Sequence, residues 1–185
     1  MKWELKNNII LIGFMGSGKS TLGKRLAEVL KYEFVDTDIE IETKEGKSIT
    51  CIFKEDGEEY FRNLETAVIR EYLNREKGKV ISVGGGLPLR QENREILKKL
   101  GMVIYLKTTP ETVYERLKED TSRPLLQTED PRKRIEEMME QREEKYRDAS
   151  HIVLRTEGKQ IEEILSEIPY AMTGEQKEME RKRIK

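Results

Sequence analysis

A glycine-rich segment near the amino terminus constrains the fold of this chain more than any other feature. Its sequence GFMGSGKS, residues 13–20, fits the pattern G-x-x-x-x-G-K-[ST] in full. An unbroken apolar run precedes it and predicts a buried strand over residues 7–13. Apolar residues at helical spacing follow it, namely Leu22, Leu26, Val29 and Leu30. The segment therefore predicts a strand, a tight loop and a helix in that order.

The predicted loop is suited to hold a phosphate group. Its glycines let successive backbone N–H groups turn toward one anion, and the helix N-terminus adds unpaired N–H groups and partial positive charge. Lys19 can reach terminal phosphates, and the hydroxyl of Ser20 can bind Mg²⁺. An ordinary strand–turn–helix junction is the alternative interpretation, and the agreement of pattern and context argues against it. The expected nucleotide-binding residues are Gly16, Ser17, Gly18, Lys19, Ser20 and Thr21.

Length and composition indicate one globular domain with a heavily charged surface. The 185 residues suit a single core, and charged residues of both signs make up 38% of them. A net charge of −1 gives no global electrostatic case for binding nucleic acid or an anionic membrane. No stretch approaches the ~20 apolar residues of a membrane span, and the first residues lack the apolar core of a signal peptide. Because Cys51 is the single cysteine, we expect a cytoplasmic protein.

Strand and helix patterns alternate along the chain. Four further strands are predicted, one ending at Val35 and the others at residues 79–83, 102–107 and 151–155. Helical patterns lie between and after them, at residues 61–72, at 89–100 closed by Gly101, after Thr109-Pro110, after Asp130-Pro131 and at 161–168. This alternation predicts a three-layer α/β domain with a parallel sheet, spanning residues 1–169. Residues 170–185 are highly charged and are expected to form a tail.

Two carboxylates follow the predicted second strand in the sequence FVDTDIEIE. Asp36 and Asp38 come at its carboxyl end, the edge at which open α/β sheets bind ligands. One carboxylate can hold Mg²⁺ while the other accepts a proton from a substrate. Taken alone, the pair is also typical of a helix cap. The neighbouring phosphate loop favours the functional interpretation.

Two further motifs can contribute to a binding site. Arg62 and Glu65, in GEEYFRNLE, lie three residues apart on one face of a predicted helix, where a surface ion pair is the alternative. Gly84, Gly85 and Gly86 end the strand pattern VISVGGG and can expose backbone N–H groups to a ligand. A plain flexible loop is the alternative for the glycines.

Three arginines complete the set of candidates. Arg116 and Arg123 flank a polar stretch between helices, and residues 118–128 have the composition of a solvent-facing lid. Arg142 shares a helical face with Ile135, Met138 and Tyr146. Such a cation can extend along the apolar stripe toward water, or it can point inward and bind a carboxylate through two parallel hydrogen bonds.

Together these motifs resemble those of the shikimate kinase family of P-loop kinases. The matching segments are GFMGSGKST, DTD, GEEYFR, GGG, RPLL and QREEKYR, in family order, and the resemblance covers residues 7–168. It implies a five-stranded parallel sheet in the order 2-3-1-4-5, a lid, and a substrate-binding insert at residues 37–65. The implied substrates are ATP and shikimate, phosphorylated at its 3-hydroxyl. A monomer is expected, with no membrane or nucleic-acid partner.

The resemblance also implies a role for each candidate residue. Lys19 would hold ATP phosphates, and Ser20 with Asp36 would hold Mg²⁺. Asp38 would take the proton from the attacking hydroxyl. Arg123 would meet the transferring phosphate, and Arg116 would lie near the adenine. The residues implied for the shikimate pocket are Asp38, Arg62, Glu65, Gly84, Gly85, Gly86 and Arg142, with Glu65 orienting Arg62.

Three other functions are compatible with parts of the pattern. A gluconate kinase, or another kinase of small hydroxy acids, would also offer a carboxylate to the arginines. A catalytically inactive regulator would be favoured by loss of Lys19, Asp38 or Arg123, and all three are present. A nucleic-acid-binding P-loop module lacks support because the chain is nearly neutral.

Overall fold

Five parallel strands form one sheet at the centre of the protein. The computed structural model describes residues 7–118 and 128–173, with side chains for residues 7–118 and 128–169. The strands are β1 (Asn8–Ile12), β2 (Glu33–Asp36), β3 (Lys79–Ser82), β4 (Gly101–Lys107) and β5 (Ile152–Arg155). Their order across the sheet is β2-β3-β1-β4-β5, so the expected fold and strand order are confirmed.

The central strand, β1, is buried on both faces. Ile9 and Ile12 have no exposed surface, and the strand pairs with β3 on one side and β4 on the other. Ile10 lies opposite both Ile81 and Val103. A strand enclosed in this way needs apolar side chains at every position, which is why its sequence is an unbroken apolar run.

Helices cover both faces of the sheet. They are α1 (Lys19–Leu30), α2 (Thr37–Glu45), α3 (Ile49–Glu55), α4 (Glu58–Glu71), α5 (Gln91–Leu100), α6 (Pro110–Leu117), α7 (Pro131–Ala149) and α8 (Ile161–Thr173). Buried residues of α1 and α8 share one apolar cluster with β1, β4 and β5. Residues of α4, α5 and α7 form a second cluster on the opposite face. The two clusters lie between the sheet and the helices on either side of it, which gives the predicted three layers.

Polar residues fix where several helices begin. The side chains of Thr109 and Asp130 accept hydrogen bonds from the backbone N–H groups of Thr112 and Lys133, and a proline follows each cap. These two helix starts agree with the sequence prediction.

Gly101 ends α5 as expected, but for a different reason than a left-handed cap. Its φ angle of 164° is extended, and the residue is also the first of β4. A Cβ atom at this position would lie 2.1 Å from the carbonyl oxygen of Asn8 in β1. Glycine is therefore required by the close approach of two backbones.

The expected insert, residues 37–65, forms α2, α3 and the first part of α4. It follows the carboxyl end of β2, at the sheet edge where the phosphate loop also lies. The last helix, α8, continues through Pro169 to Thr173. In the part of the chain that the structure describes, no helix has the length and apolar character needed to cross a membrane.

Candidate active site

Two adjacent cavities lie beside the phosphate loop. The larger, of about 580 Å³, is bounded by the loop, by α2, α3 and α4, by the glycines after β3 and by α7. The smaller, of about 340 Å³, lies between the loop, α6 and the start of α8. Both cavities are lined by Gly16, Gly18 and Thr21. The loop therefore lies between two compartments, which can hold two different ligands or two parts of one ligand.

The phosphate loop has the backbone conformation that its sequence predicts. Gly16 and Gly18 have φ angles of 74° and 92°, which residues with a Cβ atom rarely adopt. The ammonium group of Lys19 donates hydrogen bonds of 3.0 Å to the carbonyl oxygens of Gly13 and Phe14. Lys19 therefore lies at the mouth of the loop, facing the larger cavity.

Ser20 and Asp36 place two oxygen atoms side by side. The Ser20 hydroxyl donates a 2.8 Å hydrogen bond to Oδ2 of Asp36, whose Oδ1 accepts from the backbone N–H of Asp38. Mg²⁺ in kinases takes one or two protein oxygens and fills its other positions with phosphate and water. The pair fits that donor set. Asp36 also caps α2, so the cap and metal interpretations apply to one residue.

Asp38 and Glu65 approach each other at Gly84. A Cβ atom on Gly84 would lie 2.5 Å from Oε1 of Glu65 and 2.7 Å from Oδ1 of Asp38, so only glycine leaves room for both carboxylates. Glu65 is fully buried, and this burial raises its pKa to about 7. Arg62 opposes the rise in pKa, and the negative charge of Asp38 adds to it. Burial therefore disfavours the ionised form of Glu65, while its ion pair with Arg62 favours it.

Arg62 lies among carboxylates and aromatic rings in the wall of the larger cavity. Its Nη1 donates to Glu65 at 2.6 Å, and its Nη2 donates to Glu58 at 2.7 Å. Burial disfavours the charged form of Arg62, but the two ion pairs outweigh this and raise its pKa. The guanidinium lies 5.4 Å from the ring centre of Phe61 and directly against Gly86. Because Arg62 and Glu65 are both buried, the alternative of a surface ion pair is wrong.

Arg142 reaches the same cavity from α7. It is 8% exposed, and its guanidinium lies 5.4 Å above the ring centre of Phe14. No carboxylate of the described residues forms an ion pair with it. Arg142 thus points inward and does not extend along its helix to the surface. One turn further on, the hydroxyl of Tyr146 donates a 2.6 Å hydrogen bond to the carbonyl of Gly85 and connects α7 to the glycine segment.

The smaller cavity combines two cationic side chains, those of Arg116 and Lys159, with apolar walls. Nη1 of Arg116 donates a 2.8 Å hydrogen bond to the carbonyl oxygen of Gly16. Leu106, Ile161 and Ile164 provide apolar surface. A flat, weakly polar group such as a nucleobase fits this composition beside a phosphate loop. Ser17, whose side chain is buried, also lines this cavity.

Nearly all the site residues expected from the sequence line one of the two cavities. The larger cavity includes Gly16, Gly18, Lys19, Ser20, Thr21, Asp36, Asp38, Arg62, Glu65, Gly84, Gly85, Gly86 and Arg142. Ser17 and Arg116 line the smaller one. Arg123 and most of the expected lid at residues 118–128 lie outside the residues that the structure describes.

Sequence reasoning did not assign functional roles to three residues at the site. Glu58 pairs with Arg62, Tyr146 holds Gly85, and Phe53 lines the larger cavity. Glu58 lies four residues from Arg62 on α4, and Tyr146 lies four residues from Arg142 on α7. Side chains at this spacing are neighbours on a helix surface. That spacing is too common on helix surfaces to reveal a site by itself.

Comparisons with known proteins agree with this geometry. Residues 15–173 match the shikimate kinase family. The chain is 52% identical over 161 residues to a shikimate kinase from Persephonella marina, covering 87% of this chain and 96% of the relative. It is also similar to a solved structure described as shikimate kinase from Acinetobacter baumannii in complex with shikimate. The TM-score is 0.87 at 39% identity, covering 92% of this chain and 95% of the other.

A gluconokinase from Sinorhizobium meliloti is a more distant structural neighbour. Its TM-score is 0.57 at 17% identity, covering 97% of this chain and 99% of the other. At that identity the likeness shows a common fold and nothing about the substrate. The much greater likeness to shikimate kinases in sequence therefore decides between the two hydroxy-acid kinases.

Proposed function

The chain belongs to the shikimate kinase family, and we propose that its two cavities divide that reaction between them, with shikimate in the larger and the nucleoside of ATP in the smaller. The reaction transfers the terminal phosphoryl group of ATP to the 3-hydroxyl of shikimate. One observation carries this assignment. Two buried arginines, Arg62 and Arg142, lie in the wall of the cavity that also includes Asp38.

The two arginines bind the carboxylate of shikimate in this proposal. Arg142 has no protein carboxylate to compete with a ligand among the described residues, and Arg62 is fixed in place by Glu65 and Gly86. Guanidinium groups bind carboxylates through parallel hydrogen bonds, and burial strengthens such bonds. The backbone of the glycine segment forms the adjoining wall.

Asp38 is the proposed general base. It lies in the first turn of α2 and lines the larger cavity beside Gly84, as do Lys19 of the phosphate loop and the two arginines. A carboxylate there can accept the proton of the 3-hydroxyl as that oxygen attacks phosphorus.

The phosphate loop and Lys19 hold the phosphates of ATP, and Ser20 and Asp36 hold Mg²⁺. Bound Mg²⁺ neutralises charge that develops on the phosphate oxygens. Lys19 contributes a second positive charge, and the backbone N–H groups of the loop orient the phosphates. Arg116 contacts the nucleotide from α6, beside the smaller cavity.

The proposed roles of Arg123 and of the lid rest on the sequence alone. Arg123 meets the transferring phosphate, and the lid at residues 118–128 excludes water during transfer. The substrate-binding insert is residues 37–65, within one domain of residues 1–169, followed by a tail. Since one chain provides every other proposed contact, the monomer is the proposed active unit.

Measurement of ADP release with different acceptors tests this function. The enzyme is supplied with MgATP and, in turn, with shikimate, gluconate and nucleoside monophosphates. Shikimate should give a kcat/KM at least about 10³-fold above the others, because an acceptor whose carboxylate and reacting hydroxyl do not fit the arginines and Asp38 together leaves that hydroxyl out of line for transfer. Equal or faster turnover of gluconate would overturn the assignment.

A further inference from the structure

Glu58 is hydrogen-bonded to Arg62, one of the two arginines that are proposed to bind the substrate carboxylate. Its Oε1 accepts hydrogen bonds from Nε of Arg62 at 3.2 Å and from Nη2 at 2.7 Å. These two nitrogens form one edge of the guanidinium, the kind of edge that binds a carboxylate through parallel hydrogen bonds. In this structure a protein carboxylate therefore already lies where a ligand carboxylate could bind.

Arg62 carries one positive charge but has two acidic partners. The third guanidinium nitrogen, Nη1, donates to Oε2 of Glu65 at 2.6 Å. Two carboxyl groups thus share a single positive charge. A carboxylate brought by a substrate would be repelled by Glu58, and by Glu65 whenever Glu65 is ionised, so it gains from Arg62 only when one of them moves away.

Exposure decides which of the two can move. The side chain of Glu65 is 1% exposed and packs beside Gly84, whereas that of Glu58 is 53% exposed. Glu58 lies in the first turn of α4, where its side chain can turn into water and remain hydrated. Because Glu58 is half exposed, water screens its ion pair with the buried Arg62, and replacement of Glu58 by a ligand is readily reversible.

We propose that Glu58 holds the place of the substrate carboxylate on Arg62 and turns out to solvent when the substrate binds. The inference rests on the proposed role of Arg62. An uncharged alcohol cannot replace Glu58 on the guanidinium, whereas a carboxylate can. Displacing Glu58 costs such a ligand part of the free energy that it gains from Arg62, so Glu58 weakens carboxylate binding and acts as a positioning residue that keeps Arg62 paired while the cavity is empty.

A matched pair of variants tests this inference. Glu58→Gln removes the competing charge, and Glu59→Gln removes the adjacent charge in the same first turn of α4. Glu59 is paired with Arg90 at 2.6 Å, so each variant breaks one ion pair and removes one helix-terminal carboxylate. Calorimetric titration then gives the Kd of shikimate and of its uncharged carboxamide for both variants and for the unaltered enzyme.

Glu58→Gln should lower the Kd of shikimate by about threefold to fivefold, the upper range for an ion pair screened by water. It should change the Kd of the carboxamide by less than about twofold, and Glu59→Gln should leave both values within about twofold. An unchanged or higher Kd of shikimate in Glu58→Gln would overturn the inference. Failure of the proposed function looks different: the unaltered enzyme would then bind the carboxamide as tightly as shikimate.

Discussion

Glu65 illustrates how surroundings decide what one side chain contributes. The sequence places it three residues from Arg62, a spacing that occurs on countless exposed helices. Its position beside Gly84 and Asp38 removes it from water and raises its pKa to about 7. No local sequence pattern reports burial of this kind, because it depends on β3 and α2 as well as on the helix that carries Glu65.

The raised pKa of Glu65 predicts a pH-dependent stability. Between the ordinary pKa of 4.5 and the folded value of about 7, the folded protein retains a proton that the unfolded chain has lost. The contribution of Glu65 to the free energy of unfolding therefore falls as pH rises through this range and is constant above it. Relative to the unaltered protein, Glu65→Gln should gain roughly 1–3 kcal/mol between pH 5 and pH 8.

Urea denaturation at the two pH values measures this difference. Glu59→Gln, which alters an exposed carboxylate on the same helix, should show less than about half of the change. Identical pH dependence in Glu65→Gln and the unaltered protein would show that Glu65 keeps an ordinary pKa.

Asp38→Asn tests the general base. The amide preserves the shape of the side chain but cannot accept the proton, so kcat should fall by about 10²–10⁴-fold. Shikimate should still bind in a calorimetric titration, with a Kd within about threefold of the original, because the arginines remain. A loss of kcat below about tenfold would mean that Asp38 only positions the hydroxyl.

Among the secondary structure elements, those with strong local signals were predicted well. The strands, the phosphate loop and the helix starts at Pro110 and Pro131 each follow from neighbouring residues. Local signals did not determine which way Arg142 points on α7, since an inward and an outward arginine have the same sequence pattern. They also did not show that Gly101 serves the contact between β4 and β1.

The glycine segment after β3 predicts an effect on one substrate alone. Gly86 has a φ angle of −89°, which alanine tolerates, but a Cβ atom there would lie 2.1 Å from Nη1 of Arg62. Gly86→Ala should therefore displace the guanidinium and raise the KM of shikimate by at least about tenfold. The KM of ATP should stay within about twofold and serves as the internal control. A parallel rise in both KM values would indicate a general disturbance of the fold.

Substitution of Lys19 in the phosphate loop should lower turnover without weakening shikimate binding. In Lys19→Met the point charge on the ATP phosphates is lost, so turnover should fall below about 10⁻³ of the original. The Kd of shikimate should stay within about threefold, since Lys19 is not among the residues proposed to bind it. Near-normal turnover in a folded Lys19→Met variant, checked by circular dichroism, would contradict the assignment of the loop.

At the scale of the whole molecule, the parallel sheet brings the site together. The carboxyl ends of β1, β2 and β3 deliver the phosphate loop, the two aspartates and the glycine segment to one edge. Arg62 and Arg142 are eighty residues apart in sequence but line one cavity. The resemblance of motifs to a known family predicted this assembly, whereas composition and periodicity alone predicted only the sheet and the loop.

Binding of the shikimate carboxylate by Arg62 and Arg142 is the interaction on which the proposed function depends most. It is tested most directly by titrating shikimate, and its analogue with the carboxylate reduced to an alcohol, into the unaltered enzyme and Arg142→Ala. Loss of a partner from a desolvated carboxylate should weaken shikimate binding by about 2–5 kcal/mol. The alcohol should bind the unaltered enzyme poorly and lose less than about 0.5 kcal/mol in the variant. Equal losses for both ligands would mean that Arg142 supports the cavity without binding the carboxylate, and the account would be contradicted.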